Sequence, residues 1–418
     1  MTTQKIKEIP SLTGLRFFAA LFVCSAHLIT KITIIPALLP MTQLASEGMS
    51  LFFVLSGFVI YYNYSALINT RKIRALYQFF VARFARLFPL YLVCLGADLA
   101  LTYHRAPSHS LPHLWQAIPY YLTLTQSWFY IIIGDNELIY QFGRMLQVSW
   151  SISTEWFFYL CFPFICFAIA KLKTIWSKAL LLAFISIISL TGIIVYSLKT
   201  GEINDFAIKQ FGQVADYQLN FQDSFARWLI YFSPYARAFE FIIGCITAAL
   251  YMQTTTLSTQ RTNKYVGMIV SMLSITLVCL THYLIWYTPK SIDFAWVKNL
   301  HHCFGFALPF AALIYCCAHY DSIVSRFLSN PLLILGGELS YSIYLFHTQL
   351  IDYAIFHFTT IASTLPHTFV SFTSILIIIF AFSYITYTLI EVPARRTLRT
   401  WLKWPISYKN RMLVFTTK

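Results

Sequence analysis

Residues 12–27 read LTGLRFFAALFVCSAH and open an apolar run that continues to residue 33. Such a run is long enough to cross the hydrocarbon core of a membrane as an α-helix. It nevertheless holds one cation, Arg16, and one titratable imidazole, His27, and both are costly to expose to lipid. Eleven residues are close to three full helical turns. The two side chains therefore share one helix face, which should point to protein, water or a bound anion.

Apolar runs of similar length recur along nearly the whole chain of 418 residues, of which 58% are hydrophobic and only 11% charged. Strand alternation is absent, and an isolated strand would leave its backbone groups unpaired in lipid. The sequence therefore predicts an all-α polytopic membrane protein with about ten transmembrane helices. We expect these helices near 12–33, 48–66, 84–103, 148–170, 176–198, 229–251, 265–287, 301–319, 339–358 and 368–390.

The stretch 115–133 is apolar enough to cross the membrane, but Gln116, Pro119 and Gln126 interrupt it. If it does not cross, the loops rich in lysine and arginine all fall on one side, and the acidic loop 199–227 falls on the other. The positive-inside rule then gives ten spans with both termini in the cytoplasm. We interpret 115–133 as a re-entrant or interfacial element.

The formal net charge is +14, and most of the excess lies in loops beside the predicted spans. Orientation and anionic membrane lipids account for such charge, so nucleic acid is not an expected partner. All nine cysteines lie inside predicted spans, where cysteine usually acts as a small hydrophobe, and no metal site is predicted. We expect a single transmembrane domain over 1–390, a basic cytoplasmic tail over 391–418 and no appended soluble domain.

The fourth predicted span opens with QVSWSISTEW at 147–156, which contains an acidic residue, Glu155. Counted from the outer membrane surface, Glu155 lies about as deep as His27, so the two side chains are predicted to meet. A carboxylate bonded to His27 would hold one tautomer of the imidazole and make it a better base for a hydroxyl group. Two other interpretations stay open: His27 as a helix-packing partner, and Arg16 as an interfacial anchor.

Three further polar features belong to the spans. Arg83 and Arg86 lie on adjacent turns at the mouth of the third span, where they could bind phosphate or serve only as a positive-inside anchor. Arg237 and Glu240 are spaced for a structural ion pair within one helix. His347 follows several hydroxyl side chains inside the ninth span, and it could line a cavity or join helices.

At these residues the chain resembles the acyltransferase family 3 of membrane proteins, which includes bacterial O-antigen and exopolysaccharide O-acetyltransferases. The resemblance extends over nearly the whole chain and keeps the order of the family's motifs. The segments that carry it are Leu12 to His27, Gly48 to Phe58, Arg83 to Tyr91, Trp150 to Tyr159, Arg237 to Gly244, Leu339 to His347 and Glu391 to Arg396.

The resemblance implies transfer of an acyl group, commonly acetyl, from cytoplasmic acyl-CoA to a hydroxyl of a sugar or related acceptor. It implies that His27 is essential, that Arg16, Arg83 and Arg86 help to bind the donor, and that the protein sits in the bacterial inner membrane. Acetyl-CoA would be a donor substrate rather than a bound cofactor. Some family members add a C-terminal esterase-like domain, which we do not expect after residue 390, and Glu338 stands where a basic residue is expected.

These expectations combine into one mechanism, in which His27, oriented by Glu155, removes the proton from an acceptor hydroxyl. Direct transfer and a covalent acyl-histidine intermediate both remain open. Side chains predicted to contact the acceptor are Ser56, Trp150, Ser151, Tyr159 and His347. The expected partners are acyl-CoA, a carbohydrate or other hydroxyl acceptor and membrane lipid, and a homo-oligomer stays open.

The alternative function belongs to another class, a proton-coupled transporter or flippase. In that case His27, Glu155, Asp98 and His347 would form a proton relay. The sequence lacks the repeated halves and the paired glycine or proline breaks that many transporters show. The acyltransferase interpretation is therefore favoured, and a purely structural anchor would leave these polar residues unexplained.

Overall fold

The computed structural model describes residues 8–105, 111–141, 144–257, 264–288, 295–358 and 364–402. Of these residues 84% are helical, and strand within these ranges is limited to a hairpin in which β1 (Ile132–Ile133) pairs antiparallel with β2 (Asn136–Glu137). The α-helices are α1 Pro10–Ile32, α2 Leu44–Ile68, α3 Ile73–Arg105, α4 Leu111–Thr123, α5 Arg144–Gln147, α6 Trp150–Ala170, α7 Ile175–Leu198, α8 Thr200–Phe211, α9 Phe225–Arg227, α10 Pro234–Leu257, α11 Lys264–Tyr287, α12 Ala295–Asn299, α13 Ala307–His319, α14 Ile323–Leu328, α15 Pro331–Phe358, α16 Leu365–Thr386 and α17 Val392–Trp401. The prediction of an all-α polytopic membrane protein is confirmed.

Eight helical segments in the described ranges are long and apolar enough to cross a membrane: those built on α1, α2, α3, α6, α7, α10, α11 and α16. Each overlaps one of the ten predicted spans. The predicted span 301–319 corresponds to α13, which has only 13 residues because the chain turns before Ala307. The predicted span 339–358 is part of α15, a helix of 28 residues that carries Glu338 and Asp352.

The segment 115–133 does not contain a membrane-spanning helix. Its helical part, α4, has 13 residues, or about 20 Å at ~1.5 Å per residue, which is shorter than a hydrocarbon core of about 30 Å. The helix ends where Leu124 adopts a φ of 56°. These dimensions agree with the interpretation of 115–133 as an element that does not cross.

The bundle has central and peripheral helices. In α1, α2 and α10, 61% of the most apolar stretch is buried inside the protein, whereas the figure for α7 is 11% and for α11 22%. Large apolar side chains such as Leu180, Phe184 and Ile187 are exposed on α7. Lipid is the solvent that such a surface requires, so α7 and α11 form the rim around α1, α2 and α10.

Glycines allow the central helices to touch backbone to backbone. A Cβ atom on Gly57 of α2 would lie 2.0 Å from the Phe241 carbonyl oxygen, and one on Gly244 of α10 would lie 2.1 Å from the Val54 carbonyl oxygen. A Cβ on Gly337 of α15 would lie 1.9 Å from the Thr13 carbonyl oxygen of α1. Small residues at such crossings are a common means of close helix packing in membranes. They fix α2 against α10 and α1 against α15.

Two segments between the long helices pack together, and we call them the cap: the described parts of 111–147 and 200–232. Tyr130 OH donates to the Asp223 carbonyl oxygen at 2.5 Å, and the Glu137 backbone N–H donates to the Asp223 carboxylate at 3.0 Å. The cap also covers the first turn of α6. There, Trp128 Nε1 donates to the Ser153 carbonyl oxygen at 3.0 Å, and Thr154 Oγ1 donates to that of Phe232 at 3.1 Å. Helix α6 therefore begins beneath the cap.

The predicted basic tail starts inside a continuous helical segment. Helix α16 passes through a π-helical turn, Tyr387–Glu391, directly into α17. Helix α17 packs against α3, the helix that holds Arg83 and Arg86. Residues 403–418 of the predicted tail lie outside the described residues.

Candidate active site

Five helices meet around a small cavity of about 70 Å³. Its walls come from α1, α2, α3, α6 and α15, the helices that carry most of the sequence motifs. The lining residues are Arg16, Met49, Phe52, Phe53, Ser56, Arg86, Leu87, Ser151, Ile152, Glu155, Ser340, Tyr341 and Tyr344. Of the predicted site residues, the structure brings Arg16, Ser56, Arg86, Ser151 and Glu155 together here.

The charged groups of the cavity are two arginines and one carboxylate. Arg16 lies within electrostatic reach of Arg86, Glu155 and Arg83. Glu155 accepts hydrogen bonds from Ser56 Oγ at 2.8 Å and from Tyr159 OH at 2.6 Å. The cavity therefore has an excess of positive charge, with its carboxylate held by two hydroxyl groups. A ligand with a negative charge suits such a site.

The predicted hydrogen bond between His27 and Glu155 is wrong. Glu155 shares its level of the bundle with Arg16 rather than with His27, which is eleven residues further along α1. The prediction measured depth from the helix ends and assumed that α6 begins at the membrane surface. The cap covers the first turn of α6, so that helix does not begin at the surface of the bundle, and Glu155 lies beside Arg16.

The hydrogen-bond partner of His27 is a second imidazole. His27 Nδ1 and His347 Nε2 are 2.9 Å apart, and the ring centroids are 5.0 Å apart with the ring planes 28° from parallel. His347 is fully buried, whereas His27 is partly exposed. One turn beyond, Lys31 and Asp352 form an ion pair across the same two helices. The contact of α1 with α15 therefore joins the two histidines.

The hydrogen bonds of the pair determine which nitrogen atoms carry protons. His347 Nδ1 is 2.7 Å from the Tyr344 carbonyl oxygen, which can only accept, so this nitrogen donates. In neutral His347 the Nε2 atom is then the acceptor, and His27 Nδ1 must be the donor of the bond between the rings. Neutral His27 is left with an unprotonated Nε2. This is the form in which an imidazole can take a proton from a hydroxyl group.

Of the two roles left open for His347, lining the cavity or joining helices, the structure shows the second. The side chain lies behind Tyr344, whose ring does line the cavity and whose carbonyl oxygen binds His347. His27 is also absent from the cavity wall. Phe52 and Tyr344 line the cavity and pack edge to face with centroids 6.0 Å apart. The two histidines therefore lie beyond the cavity, about one helical turn from Tyr344.

Three other predicted site residues contact neighbours outside the cavity wall. Arg83 is buried, donates to Tyr64 OH at 2.8 Å and lies over the Tyr64 ring. Tyr159 is fully buried and binds Glu155. Trp150 packs on the guanidinium of Arg237, 5.8 Å from its ring centroid. The predictions that Arg83 meets phosphate and that the two aromatic rings meet a sugar find no cavity contact here.

The ion pair predicted between Arg237 and Glu240 is present. Both side chains are fully buried, with Arg237 Nη1 3.2 Å from Glu240 Oε2. Glu240 also accepts from Ser50 Oγ at 2.6 Å and from the Phe304 backbone N–H at 2.9 Å. This carboxylate ties α10 to α2 and to the start of α13, so the pair has the structural role that its spacing predicted.

The relay proposed for a transporter is not continuous. His27 and His347 touch, but Glu155 binds Ser56 and Tyr159, and Asp98 accepts from the Leu146 backbone N–H at 3.1 Å. Across the described parts of the chain, no group of three His, Cys, Asp or Glu side chains is arranged to hold a metal ion.

The sequence reasoning missed the part that α15 plays in the cavity. Ser340, Tyr341 and Tyr344 line it, and Ser151 Oγ donates to Tyr344 OH at 2.7 Å. Tyr344 OH in turn donates to the Val148 carbonyl oxygen at 2.7 Å. The available signal was the run of hydroxyl side chains before His347.

The fold and the site define a class: polytopic membrane proteins with a positively charged cavity between the helices and a pair of histidines beside it. The family model described as "Acyltransferase domain" matches residues 9–388. The chain therefore belongs to the acyltransferase family 3 of membrane proteins, and the resemblance found in its motifs is confirmed. No solved structure matches the chain.

Three relatives indicate the range of similarity. The acyltransferase MdmB of Streptomyces mycarofaciens is 34% identical over 38% of this chain and 39% of its own length. A Staphylococcus aureus (strain COL) protein, provisionally named as an O-acetyltransferase, is 26% identical over 97% of this chain and 60% of its own length. The O-acetyltransferase OatA of S. aureus (strain NCTC 8325) is 26% identical over 82% of this chain and 51% of its own length. This chain thus spans about two to three fifths of these relatives.

Proposed function

We propose that this protein is a membrane-bound O-acyltransferase of the bacterial inner membrane. It transfers an acyl group, acetyl in the first instance, from cytoplasmic acyl-CoA to a hydroxyl group of a cell-surface or lipid-linked carbohydrate. Membership of the family and the names of the relatives support transfer to oxygen. The basic loops beside the spans support a cytoplasmic location of both termini.

The observation that carries the proposal is the chain from His27 through His347 to the Tyr344 carbonyl oxygen. It leaves His27 Nε2 without a proton and holds the imidazole from its other nitrogen. General base catalysis on a hydroxyl group requires both conditions. His27 is the proposed catalytic base, and it receives its orientation from His347 instead of Glu155.

The acyl-CoA donor would extend from Arg16 and Arg86 to His27. Arg16 and His27 are eleven residues apart on α1, which is about 16 Å at ~1.5 Å per residue. Arg16 and Arg86 would bind phosphate groups, while the pantetheine arm would follow the cavity past Phe52 and Tyr344. Glu155, held by Ser56 and Tyr159, would keep the two cavity arginines in place. Ser151 remains a candidate contact for the acceptor.

The chemical step needs no group beyond the donor and the acceptor. His27 Nε2 accepts the hydroxyl proton as the oxygen attacks the thioester carbonyl carbon. A C–O bond forms and the C–S bond breaks, and the imidazolium then returns the proton to the leaving thiolate. The products are an O-acyl ester and free CoA, and His27 is again neutral.

The experiment is transfer from radiolabelled acetyl-CoA in membrane vesicles that contain the full chain. His27→Ala should lower the rate at least about 100-fold, the lower range for loss of a general base. His319→Ala, which removes a histidine stacked on Tyr315 of α13, should have little effect. Unchanged transfer by His27→Ala at an equal amount of folded protein would refute the role of His27. A wild-type protein that released no CoA would refute the enzymatic function.

A further inference from the structure

Helix α17 has a charged face near Arg83 and Arg86 of α3. Glu391, Arg395 and Arg399 follow one another at intervals of four residues, a spacing that places side chains on one side of a helix. The helix packs against α3. Glu391 is buried and accepts from Ser342 Oγ at 3.1 Å, so this face begins against α15. Further along it, Arg395 is half-buried and Arg399 is exposed.

The two arginines of this face join those of the transmembrane helices. Arg399 lies within electrostatic reach of Arg395, Arg83 and Arg86, and Arg86 lies within reach of Arg16. We call these five residues the arginine cluster: Arg16, Arg83, Arg86, Arg395 and Arg399. The sequence analysis had placed the last two in a cytoplasmic tail without a role in the site.

Within the described residues, the acidic groups next to the arginine cluster are too few to neutralise it. Glu155 lies beside Arg16, and Glu391 lies beside Arg86 and Arg395. Glu338 lies beside Glu391. Three carboxylates against five guanidinium groups leave an excess of two positive charges. Like charges in a partly buried site repel one another more strongly than in bulk water. A bound anion would relieve this repulsion.

We propose that Arg395 and Arg399 of α17 complete, with Arg86, a binding site for the phosphate groups of a nucleotide donor. The guanidinium group suits this ligand because its planar fork of donors matches two phosphate oxygens. Helix α17 would then form one wall of the donor entrance. This inference rests on the proposed function, since that function supplies acyl-CoA as the donor.

Phosphate chemistry has a second source in a membrane, the headgroups of anionic lipids. A lipid headgroup could also bind to Arg395 and Arg399, but a site for headgroups would not distinguish CoA from pantetheine. The lipid composition can be set in nanodiscs, which separates the two sources.

The experiment measures CoA binding to the full chain by isothermal titration calorimetry, in nanodiscs of neutral phosphatidylcholine. The test variant is Arg395→Gln with Arg399→Gln, and two matched controls use Arg396→Gln, an arginine on another face of the same helix. One control is the single variant. The other adds Lys178→Gln, so that it loses two positive charges, as the test variant does. We expect the test variant to bind CoA at least about tenfold more weakly, and both controls to bind as wild type. Binding of pantetheine, which has no phosphate, should be equal in all four proteins.

Each result has a separate meaning. Equal CoA binding by the test variant and the controls would overturn the inference while leaving the proposed function in place. A difference that arises only in nanodiscs with phosphatidylglycerol would assign the arginines to lipid headgroups and overturn it as well. A wild-type protein that neither binds CoA nor transfers acetyl groups would refute the proposed function itself. In kinetics, the expected change is a higher KM for acetyl-CoA with kcat retained.

Discussion

Replacement of His347 by leucine should slow acyl transfer without weakening the binding of the acyl-CoA donor. Leucine fills the buried site but cannot accept the hydrogen bond from His27 Nδ1, which spans 2.9 Å. A hydrogen bond between neutral groups contributes about 0.5–1.5 kcal/mol net, or about two- to thirteenfold in the fraction of His27 held in the productive orientation. We expect kcat to fall by that factor and KM for acetyl-CoA to stay unchanged.

Two further variants test whether His347 acts through His27. His347→Gln keeps an acceptor oxygen near the position of Nε2 and should restore most of the lost rate. In a protein that already carries His27→Ala, the leucine substitution should cause no further loss, because residues that act as a unit are not additive. Loss of the base itself, about 10²–10⁴-fold, sets the upper limit for any effect of His347.

The assay is the initial rate of radiolabelled acetyl transfer in vesicles, normalised to the amount of folded protein from fluorescence-detected size exclusion. His319→Leu serves as the matched histidine control on α13. If His347→Leu retains the wild-type kcat, the orientation of His27 does not depend on His347. A loss of donor affinity in place of kcat would show that His347 belongs to the binding site.

Three more predictions concern packing and pH. Gly337→Ala should lower the free energy of unfolding by about 1–3 kcal/mol because it overpacks the contact, and both the melting temperature and kcat should fall. Gly192→Ala, at an open site, should be neutral. Equal behaviour of the two variants would refute the close crossing. Glu240→Ala leaves the charge of Arg237 buried and unpaired, so it should destabilise the protein by about 3–5 kcal/mol in detergent unfolding, and a change below about 1 kcal/mol would contradict the ion pair. Burial raises the pKa of Glu137 in the cap well above its ordinary value, with the Asp223 carboxylate adding to the shift. The folded state therefore disfavours the ionised form of Glu137, and the free energy of unfolding falls as the pH rises above the ordinary carboxyl range. Glu137→Gln should raise the melting temperature more at pH 8 than at pH 5, and an equal change at both would contradict this.

Much of the fold could be predicted because a bilayer imposes a simple rule on sequence. Apolar runs of the required length locate α1, α2, α6, α7 and α16 within a few residues. The rule fails where a helix carries charge inside the protein. Helix α15 begins eight residues before its predicted start, and α3 begins eleven residues before, because arginine and glutamate are good helix formers even though they end an apolar run.

The site could be predicted in its members but not in its contacts. Arg16, Arg86, Glu155 and Ser56 follow from polar residues in apolar helices, and they meet in one cavity. The partner of His27 does not follow, because it lies 320 positions away on α15. Relative helix depth depends on where the cap ends and on how closely backbones cross, and neither is visible as periodicity in one helix.

The contact of Gly337 with the Thr13 carbonyl oxygen has a consequence for protein engineering. Gly337 precedes His347 by ten residues, about 15 Å along the helix axis at ~1.5 Å per residue, so the spacing of the imidazoles is fixed from a distance. A shift of either helix by one turn, about 5.4 Å, would separate the rings while leaving every polar side chain intact. Mutant libraries restricted to the cavity wall would therefore leave out a position that sets the spacing of the two imidazoles, and small residues along the crossing of α1 and α15 should be varied together with the wall.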